Sequence, residues 1–199
     1  MTYAIIGFGK IGQALARAFA RKGIEVSVAT TRDPESFAAE AAAIGPTIIP
    51  KTLAEAVKAD TVFLAVRFDA HRDVAKALPS WEGKTIVDAM NLFPVPEELG
   101  GLPASAVVAK AFTGARLVKG FNHLIAATLA ADPVVDGGHR VVFLSSDDKD
   151  ATAPVAALAK QLGFAPVELG RLNEGGALVH ARDRTWGPLI FQDLFKKEP

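Results

Sequence analysis

The stretch that decides the fold is Tyr3-Ala4-Ile5-Ile6-Gly7-Phe8-Gly9-Lys10-Ile11-Gly12. Residues 3–7 form a short apolar run of β type. Gly7, Gly9 and Gly12 then stand at the spacing G-x-G-x-x-G, with Phe8, Lys10 and Ile11 between them. Residues 10–22 place Ile11, Leu15, Ala18 and Phe19 on one face at helical spacing, and Gly23 follows as a stop. Such a spacing alone is a weak signal. A strand directly before it and a helix directly after it, inside a βαβ unit, make it a dinucleotide-binding fingerprint. Gly7 allows the tight turn, Gly9 lets the backbone approach a pyrophosphate, and Gly12 lets the helix pack close to the strand. The helix N-terminus offers N–H groups and a positive dipole end to the phosphates.

Outward from this unit the chain alternates short apolar runs with helical patterns. Strands are expected over residues 3–7, 25–30, 47–49, 61–66, 85–88, 116–121, 140–145 and 166–169. Helices are expected from Pro34 to Ala43 and over residues 53–58, 70–78, 105–112, 124–131 and 150–162. Residues 173–195 close the chain in a mostly helical segment interrupted at Gly187-Pro188, and Pro94, Pro96, Gly100, Gly101 and Pro103 mark an irregular loop. This alternation implies an α/β fold, a Rossmann-type doubly wound, mostly parallel sheet with a small C-terminal α/β extension. Residues 1–135 are expected to form the NADP-binding Rossmann domain. Residues 136–199 form a small C-terminal part packed on it, or the two make one continuous domain.

The second strand ends Ala29-Thr30-Thr31-Arg32-Asp33. An NAD site carries an acid near this place for the ribose hydroxyls. A 2′-phosphate asks instead for hydroxyl donors and a cation in fork geometry, which Thr31 and Arg32 provide. Asp33 reads either as the ribose acid or as the N-cap of the helix at Pro34. The balance of residues favours NADP.

Composition excludes several classes. The chain has 199 residues, 22 Lys+Arg against 22 Asp+Glu and no cysteine. A chain of this size buries about 70% of its unfolded surface and needs no staples. Without cysteine there are no disulfides, thiolate metal sites or cysteine nucleophiles. A net charge of +0 speaks against nucleic acid or an anionic membrane as partner. The apolar runs fall far short of the roughly 18 residues of a membrane span, and the N-terminus shows no export signal. A cytoplasmic protein acting on a small-molecule substrate is expected.

Several further stretches are Thr31-Arg32, Val62–Val66, Gly83-Lys84-Thr85-Ile86-Val87-Asp88-Ala89-Met90-Asn91, Val118-Lys119-Gly120-Phe121-Asn122, Asp147-Asp148 and the tail over residues 163–178. With the glycine loop, they resemble the NADP-dependent coenzyme F420 reductases (F420H2:NADP oxidoreductases) in nearly their whole order. The same domain is similar to the reductase domain of the STEAP metalloreductases. The resemblance implies NADP over the glycine loop, a deazaflavin (F420) or flavin ring stacked near its nicotinamide, and a homodimer. The chain departs from the family at Val66-Arg67-Phe68, where a proline is frequent after the fourth strand. It departs again at Leu92, where proline often follows the asparagine, and at His123, in place of a small residue.

Ligands of parallel sheets sit beyond the carboxyl ends of the strands. That rule selects Val66, Arg67 and Phe68, then Met90 and Asn91, then Asn122 and His123, as lining for the ring-stacking pocket. Arg67 either attracts an anionic tail of the second substrate or is a surface arginine. Phe68 packs on the nicotinamide or fills core. Asn91 bonds the nicotinamide ribose or amide, or caps a loop. Asn122 and His123 contact either ring, or His123 is an exposed loop histidine. Lys119 reads as an edge charge and Asp147-Asp148 as caps of the following helix. His180, Arg182, Asp183 and Arg184 read as a solvated face or reach a partner copy or the site. Trp186, Leu189, Ile190, Phe191, Leu194 and Phe195 form an apolar segment suited to a dimer contact. Hydride transfer between rings needs no catalytic triad, and neither catalytic side chains nor a metal site is expected. Two other functions fit the N-terminal half: a reductase of an imine or carbonyl substrate, and a non-catalytic NADP-binding sensor.

Overall fold

The computed structural model describes residues 1–91, 99 and 102–178. Ten strands and eight α-helices alternate among the described residues. The first half runs β1 (Tyr3–Ile6), α1 (Lys10–Arg21), β2 (Val26–Ala29), α2 (Ala38–Ala42), β3 (Ile48–Pro50), α3 (Leu53–Ala56), β4 (Thr61–Leu64), α4 (His71–Ala75) and β5 (Thr85–Asp88). The second runs α5 (Ala104–Ala111), β6 (Arg116–Gly120), α6 (Ala126–Ala130), β7 (Val134–Val135), β8 (Gly138–His139), β9 (Val141–Ser145), α7 (Thr152–Gln161), β10 (Ala165–Glu168) and α8 (Gly175–Leu178).

Eight strands make one sheet in the order β10-β9-β6-β5-β4-β1-β2-β3. β1 to β6 are parallel, and β9 returns antiparallel along β6 with Gly120 opposite Leu144. β10 lies parallel to β9, so the C-terminal strands extend the same sheet. The winding reverses between β1 and β4, and in such sheets that switch point opens a crevice at the carboxyl ends.

Alternation along the strands divides the core between the two faces. Ile5, Phe63, Val87 and Val118 join one cluster. Ala4, Ile6, Val62, Leu64 and Ile86 join the other. On the first face the rings of Tyr3, Phe19, Phe63, Phe121 and Phe164 meet in sequence at 5.4 to 6.0 Å. On the second, Trp81 packs edge-on to Phe112 and donates its indole N–H to the Ala75 carbonyl at 2.9 Å.

Two local features differ from expectation. The helix expected from Pro34 to Ala43 begins as a 3-10 turn, Pro34–Phe37, and is α-helical only over Ala38–Ala42. The break falls at Phe37, whose buried ring packs against Phe8 at 5.6 Å. The β7–β8 hairpin was not anticipated. Its turn is Asp136-Gly137, with φ of 49° and 78° at the two residues. Asp-Gly is the sequence that favours a two-residue turn with both φ positive. Of the irregular loop, Pro94, Pro96, Gly100 and Gly101 lie outside the described residues. So does the closing segment beyond residue 178, with His180, Arg182, Asp183, Arg184, Trp186, Leu189, Ile190, Phe191, Leu194 and Phe195.

The seating of α1 on β1 is steric. A Cβ on Gly12 would stand 1.9 Å from the Gly7 carbonyl oxygen, whereas one on Gly9 would meet nothing within 4 Å. Gly12→Ala therefore forces α1 off the sheet. It is expected to cost about 3 kcal/mol and to lower the Tm by about 6–12 °C. Gly9, at φ −79°, accepts alanine, so Gly9→Ala leaves the Tm unchanged or slightly raised in the same thermal melts.

Candidate functional site

The glycine turn is built as the motif requires. Gly7 has φ +100°, and a Cβ there would lie 2.4 Å from the Ala65 carbonyl oxygen. Its N–H donates to the Ala29 carbonyl at 2.8 Å, which ties the turn to the end of β2. α1 starts at Lys10 with Gly9 as N-cap and no acidic residue in its first turn. Its unpaired leading N–H groups thus stand beside an exposed, Cβ-free Gly9 with the cationic Lys10 and no acid at hand, as a phosphate requires. Phe8 contributes its backbone only: its ring is buried, and its carbonyl accepts the Gln13 side-chain amide at 3.1 Å. Ile11 is half-buried against the core, and Lys10 is exposed.

A cavity of about 290 Å³ continues from this turn across the β1–β4 switch point. Ile6, Leu53, Val66, Ala70 and Val74 give it apolar walls, and Gly7, Thr30, Thr31, Arg67 and Asp73 line it as well. The Thr30 hydroxyl accepts the Arg32 N–H at 2.9 Å and shapes the turn after β2. The Arg32 guanidinium lies 5.4 Å over the Phe37 ring, with Nη1 3.4 Å from Glu40 Oε1. Arg67 forms a two-pronged pair with Asp69, Nε to Oδ1 at 3.2 Å and Nη2 to Oδ2 at 3.1 Å. Phe68 is half-buried and stacks at 4.8 Å on His71. Val66 and Arg67 therefore share a cavity with Thr30 and Thr31 rather than with Asn91 and Asn122. Asp33 occupies the N-cap position of the Pro34 turn, but its side chain makes no capping bond; its backbone carbonyl accepts from Ser36 instead.

The exits of β5 and β6 are locked together. Asp88 and Lys119 are register neighbours and form an ion pair at 3.3 Å, both side chains below one-tenth exposed. Asp88 also accepts the Ser105 hydroxyl at 2.7 Å and the Met90 N–H at 3.0 Å, while the Lys119 ammonium donates to the Met90 carbonyl. Burial pushes the Lys119 ammonium below the ordinary lysine range, against the opposing pull of Asp88. The Asn91 side-chain amide donates to the Asn122 carbonyl at 2.7 Å, and the Asn122 amide donates back to Asn91 Oδ1 at 3.1 Å. Between them Phe121 holds φ +61° with its ring fully buried, a strained conformation of the kind concentrated at binding sites. Met90 packs its side chain into the core.

Three readings are corrected here. Lys119 is not an edge charge, because β9 covers β6 and encloses it. His123 is not an exposed loop residue: it is 3% exposed, packs on Phe143 at 5.0 Å, and its Nε2 lies 3.1 Å from the Val141 carbonyl oxygen. Nor do Asp147 and Asp148 cap α7. Asp147 accepts the Leu172 N–H at 3.1 Å and lies 3.5 Å from Arg171, while Asp148 accepts the Asp150 N–H at 2.9 Å in the turn before the helix. The Asp88–Lys119–Ser105 network was missed. Its signal is an acid at the end of one strand and a lysine one step before the end of its neighbour. A second cavity, of about 600 Å³, lies among Tyr3, Glu25, Lys51 and Lys58 and shares no lining residue with the first.

Donation from Nε2 to the Val141 carbonyl leaves Nδ1 of His123 bare and buried without a partner. Burial lowers its pKa from 6.5 to about 4. The unfolded chain therefore takes up this proton first as the pH falls. The contribution is fully present above about pH 6.5, is lost as the pH falls toward about 4, and amounts to about 3 kcal/mol. Denaturant unfolding of the unaltered chain and His123→Gln over that range should diverge by this amount, since the carboxylates titrate alike in both; parallel pH profiles would refute the assignment.

Comparison with known proteins agrees with this geometry. Residues 2–92 match the family model described as NADP oxidoreductase, coenzyme F420-dependent. Hypothetical protein SMa0349 from Sinorhizobium meliloti is 40% identical, with a TM-score of 0.88 over 99% of this chain and 96% of that one. A structure from Arthrobacter sp. FB24, provisionally named an F420-dependent NADP reductase, is 27% identical with a TM-score of 0.74 over 100% of both chains. The metalloreductase STEAP3 of Rattus norvegicus is 29% identical over 172 residues, which are 84% of this chain and 33% of that protein. The chain thus spans about a third of the length of the metalloreductases it matches. Residues 2–92, which carry the match to the oxidoreductase family model described as NADP oxidoreductase, coenzyme F420-dependent, are set in a doubly wound sheet with the glycine turn at its switch point.

Proposed function

We propose that this protein is an NADP-dependent oxidoreductase that moves hydride between NADPH and a deazaflavin (F420) or flavin-like ring. The observation that carries the reading is the open approach at Gly9, where a Cβ would meet nothing within 4 Å, beside an apolar cavity rimmed by Thr30, Thr31 and Arg67. The residues present fit the cofactor. Pyrophosphate suits the N-terminus of α1, a flat base suits the walls of Leu53, Val66 and Val74, and a 2′-phosphate suits Thr31 and Arg32.

When bound, NADPH supplies the hydride and the second ring accepts it. The chain contributes position and dielectric. The glycine turn would hold the phosphates, and the exits of β5 and β6, further along the same carboxyl edge, would flank the nicotinamide. There the paired amides of Asn91 and Asn122 hold the two exit loops at a fixed separation. Both side chains are used in that clamp, so it shapes the ring slot rather than abstracting a proton. His123, neutral near pH 7 because of its burial, adds no charge behind the slot.

Stopped-flow mixing of NADPH with F420, FMN and FAD tests this. The expected result is loss of NADPH absorbance with at least one of these acceptors, and a markedly slower reaction with NADH. Gly9→Ala, which keeps the fold, should weaken NADPH binding by about tenfold through lost backbone–phosphate bonds. Tight NADPH binding with no oxidation by any of these acceptors would overturn the deazaflavin or flavin reading, leaving a reductase of an imine or carbonyl substrate or a sensor.

A further inference from the structure

We infer that Arg67 reads the 2′-phosphate of NADP together with Arg32, and that Asp69 and Glu40 are competing carboxylates that set the strength of that recognition. This rests on the NADP reading above and extends it to residues on the other wall of the cavity.

Position is the first argument. Arg67 follows β4, yet it lines the same cavity as Thr30 and Thr31 at the exit of β2. The remaining walls beside it are aliphatic, from Ile6, Leu53, Val66, Ala70 and Val74, apart from Asp73, whose carboxylate is already held by Lys76 at 2.8 Å. A cation at the mouth of such a slot has no partner within the apolar walls and meets the charged substituent of whatever the slot holds. Arg32 stands immediately after Thr31 in the chain; its guanidinium lies over Phe37 beside Glu40, outside the cavity lining, and would turn to the mouth only on leaving that acid.

Geometry is the second. Arg67 already holds a carboxylate in two-pronged fashion, through Nε and Nη2 at 3.2 and 3.1 Å. The fork that matches a carboxylate also matches two oxygens of a phosphate. Arg32 holds its acid by a single longer contact, Nη1 to Glu40 at 3.4 Å, and rests on the Phe37 ring. Both pairs are solvent-exposed, with Arg67 and Asp69 at 87% and 69% side-chain exposure, and exposed pairs of this kind are weak. A phosphate carrying nearly two charges displaces them. A hydroxyl at the same place does not, so NAD leaves both arginines on their acids.

Asp69 thus opposes NADP binding by occupying Arg67, and its neutralisation should tighten binding. Calorimetric titration of the full chain with NADP+ and with NAD+ tests this in the unaltered protein, Arg32→Ala, Arg67→Ala, Asp69→Asn and the double variant Arg67→Ala/Asp69→Asn. Arg67→Ala should weaken NADP+ by about tenfold and NAD+ by less than about twofold. Asp69→Asn should tighten NADP+ by about threefold, and that gain should vanish in the double variant. Equal losses for both nucleotides in Arg67→Ala would mean that Arg67 serves the base, and would overturn the inference. So would an Asp69→Asn gain that persists without Arg67, which is a general charge effect, or no gain at all. If the unaltered chain binds both nucleotides alike, the NADP reading itself fails. If it prefers NADP+ and loses that preference in Arg32→Ala but not in Arg67→Ala, that reading stands and this inference falls.

Discussion

The closest constraint in the molecule lies between two glycines. The 1.9 Å that would separate a Cβ on Gly12 from the Gly7 carbonyl means that the first turn of α1 crosses the turn after β1 with no Cβ between them. Everything at the carboxyl edge follows from that approach. It sets the N-terminus of α1 at the switch point of the winding, directly beside the exits of β2 and β4. It fixes Gly7 in a conformation that L side chains rarely adopt, and it leaves Gly9 as the point where backbone faces open space. The open approach at Gly9 therefore arises from backbone geometry, while the side chains of Ile6, Leu53, Val66, Ala70 and Val74 wall the adjoining cavity.

At the other end of the edge the constraint is electrostatic. Asp88 and Lys119 are buried as a pair, and taking two charges out of water is costly enough that such pairs are weak evidence for stability. What this pair does is hold position. Asp88 receives the Met90 N–H and the Ser105 hydroxyl, and Lys119 donates to the Met90 carbonyl. Both polar groups of the Met90 peptide backbone are thus fixed, and Asn91 is delivered to Asn122 across the gap. Phe121 supports the same geometry from below, its left-handed backbone held by a ring packed between Phe63 and Phe164. The slot expected for the two rings is walled by segments that cannot easily move.

Much of this was readable from residue patterns. The order of strands and helices followed from periodicity, and the limits of β5 coincide with the apolar run at residues 85–88. The roles of Gly7, Gly9 and Gly12 followed from chemistry and each has its geometric counterpart. The rest depended on relations between distant segments. Nothing near Lys119 announces that β9 folds back antiparallel and covers β6, so its burial was invisible. Position at a strand exit leaves Arg67 open as a contact to an anionic substrate tail or as a surface arginine; only the cavity it shares with Thr30 and Thr31 shows which way its segment faces. His123 illustrates the same limit, since the carbonyl of Val141 that receives it lies on β9. The Asp136-Gly137 turn, by contrast, is a local signal, since both residues take positive φ as that dipeptide favours.

The central claim is that a dinucleotide lies along the carboxyl edge, adenosine end at the exits of β2 and β4 and nicotinamide end at the exits of β5 and β6. Hydrogen–deuterium exchange of the full chain, with and without saturating NADP+, tests it most directly because it reports every segment at once. The account predicts slowed exchange over residues 7–13, 29–32 and 65–70, and over residues 89–91 and 120–123, with the cavity around Tyr3, Lys51 and Lys58 unchanged. Protection at that cavity in place of the glycine turn, or no protection anywhere at saturation, would contradict it.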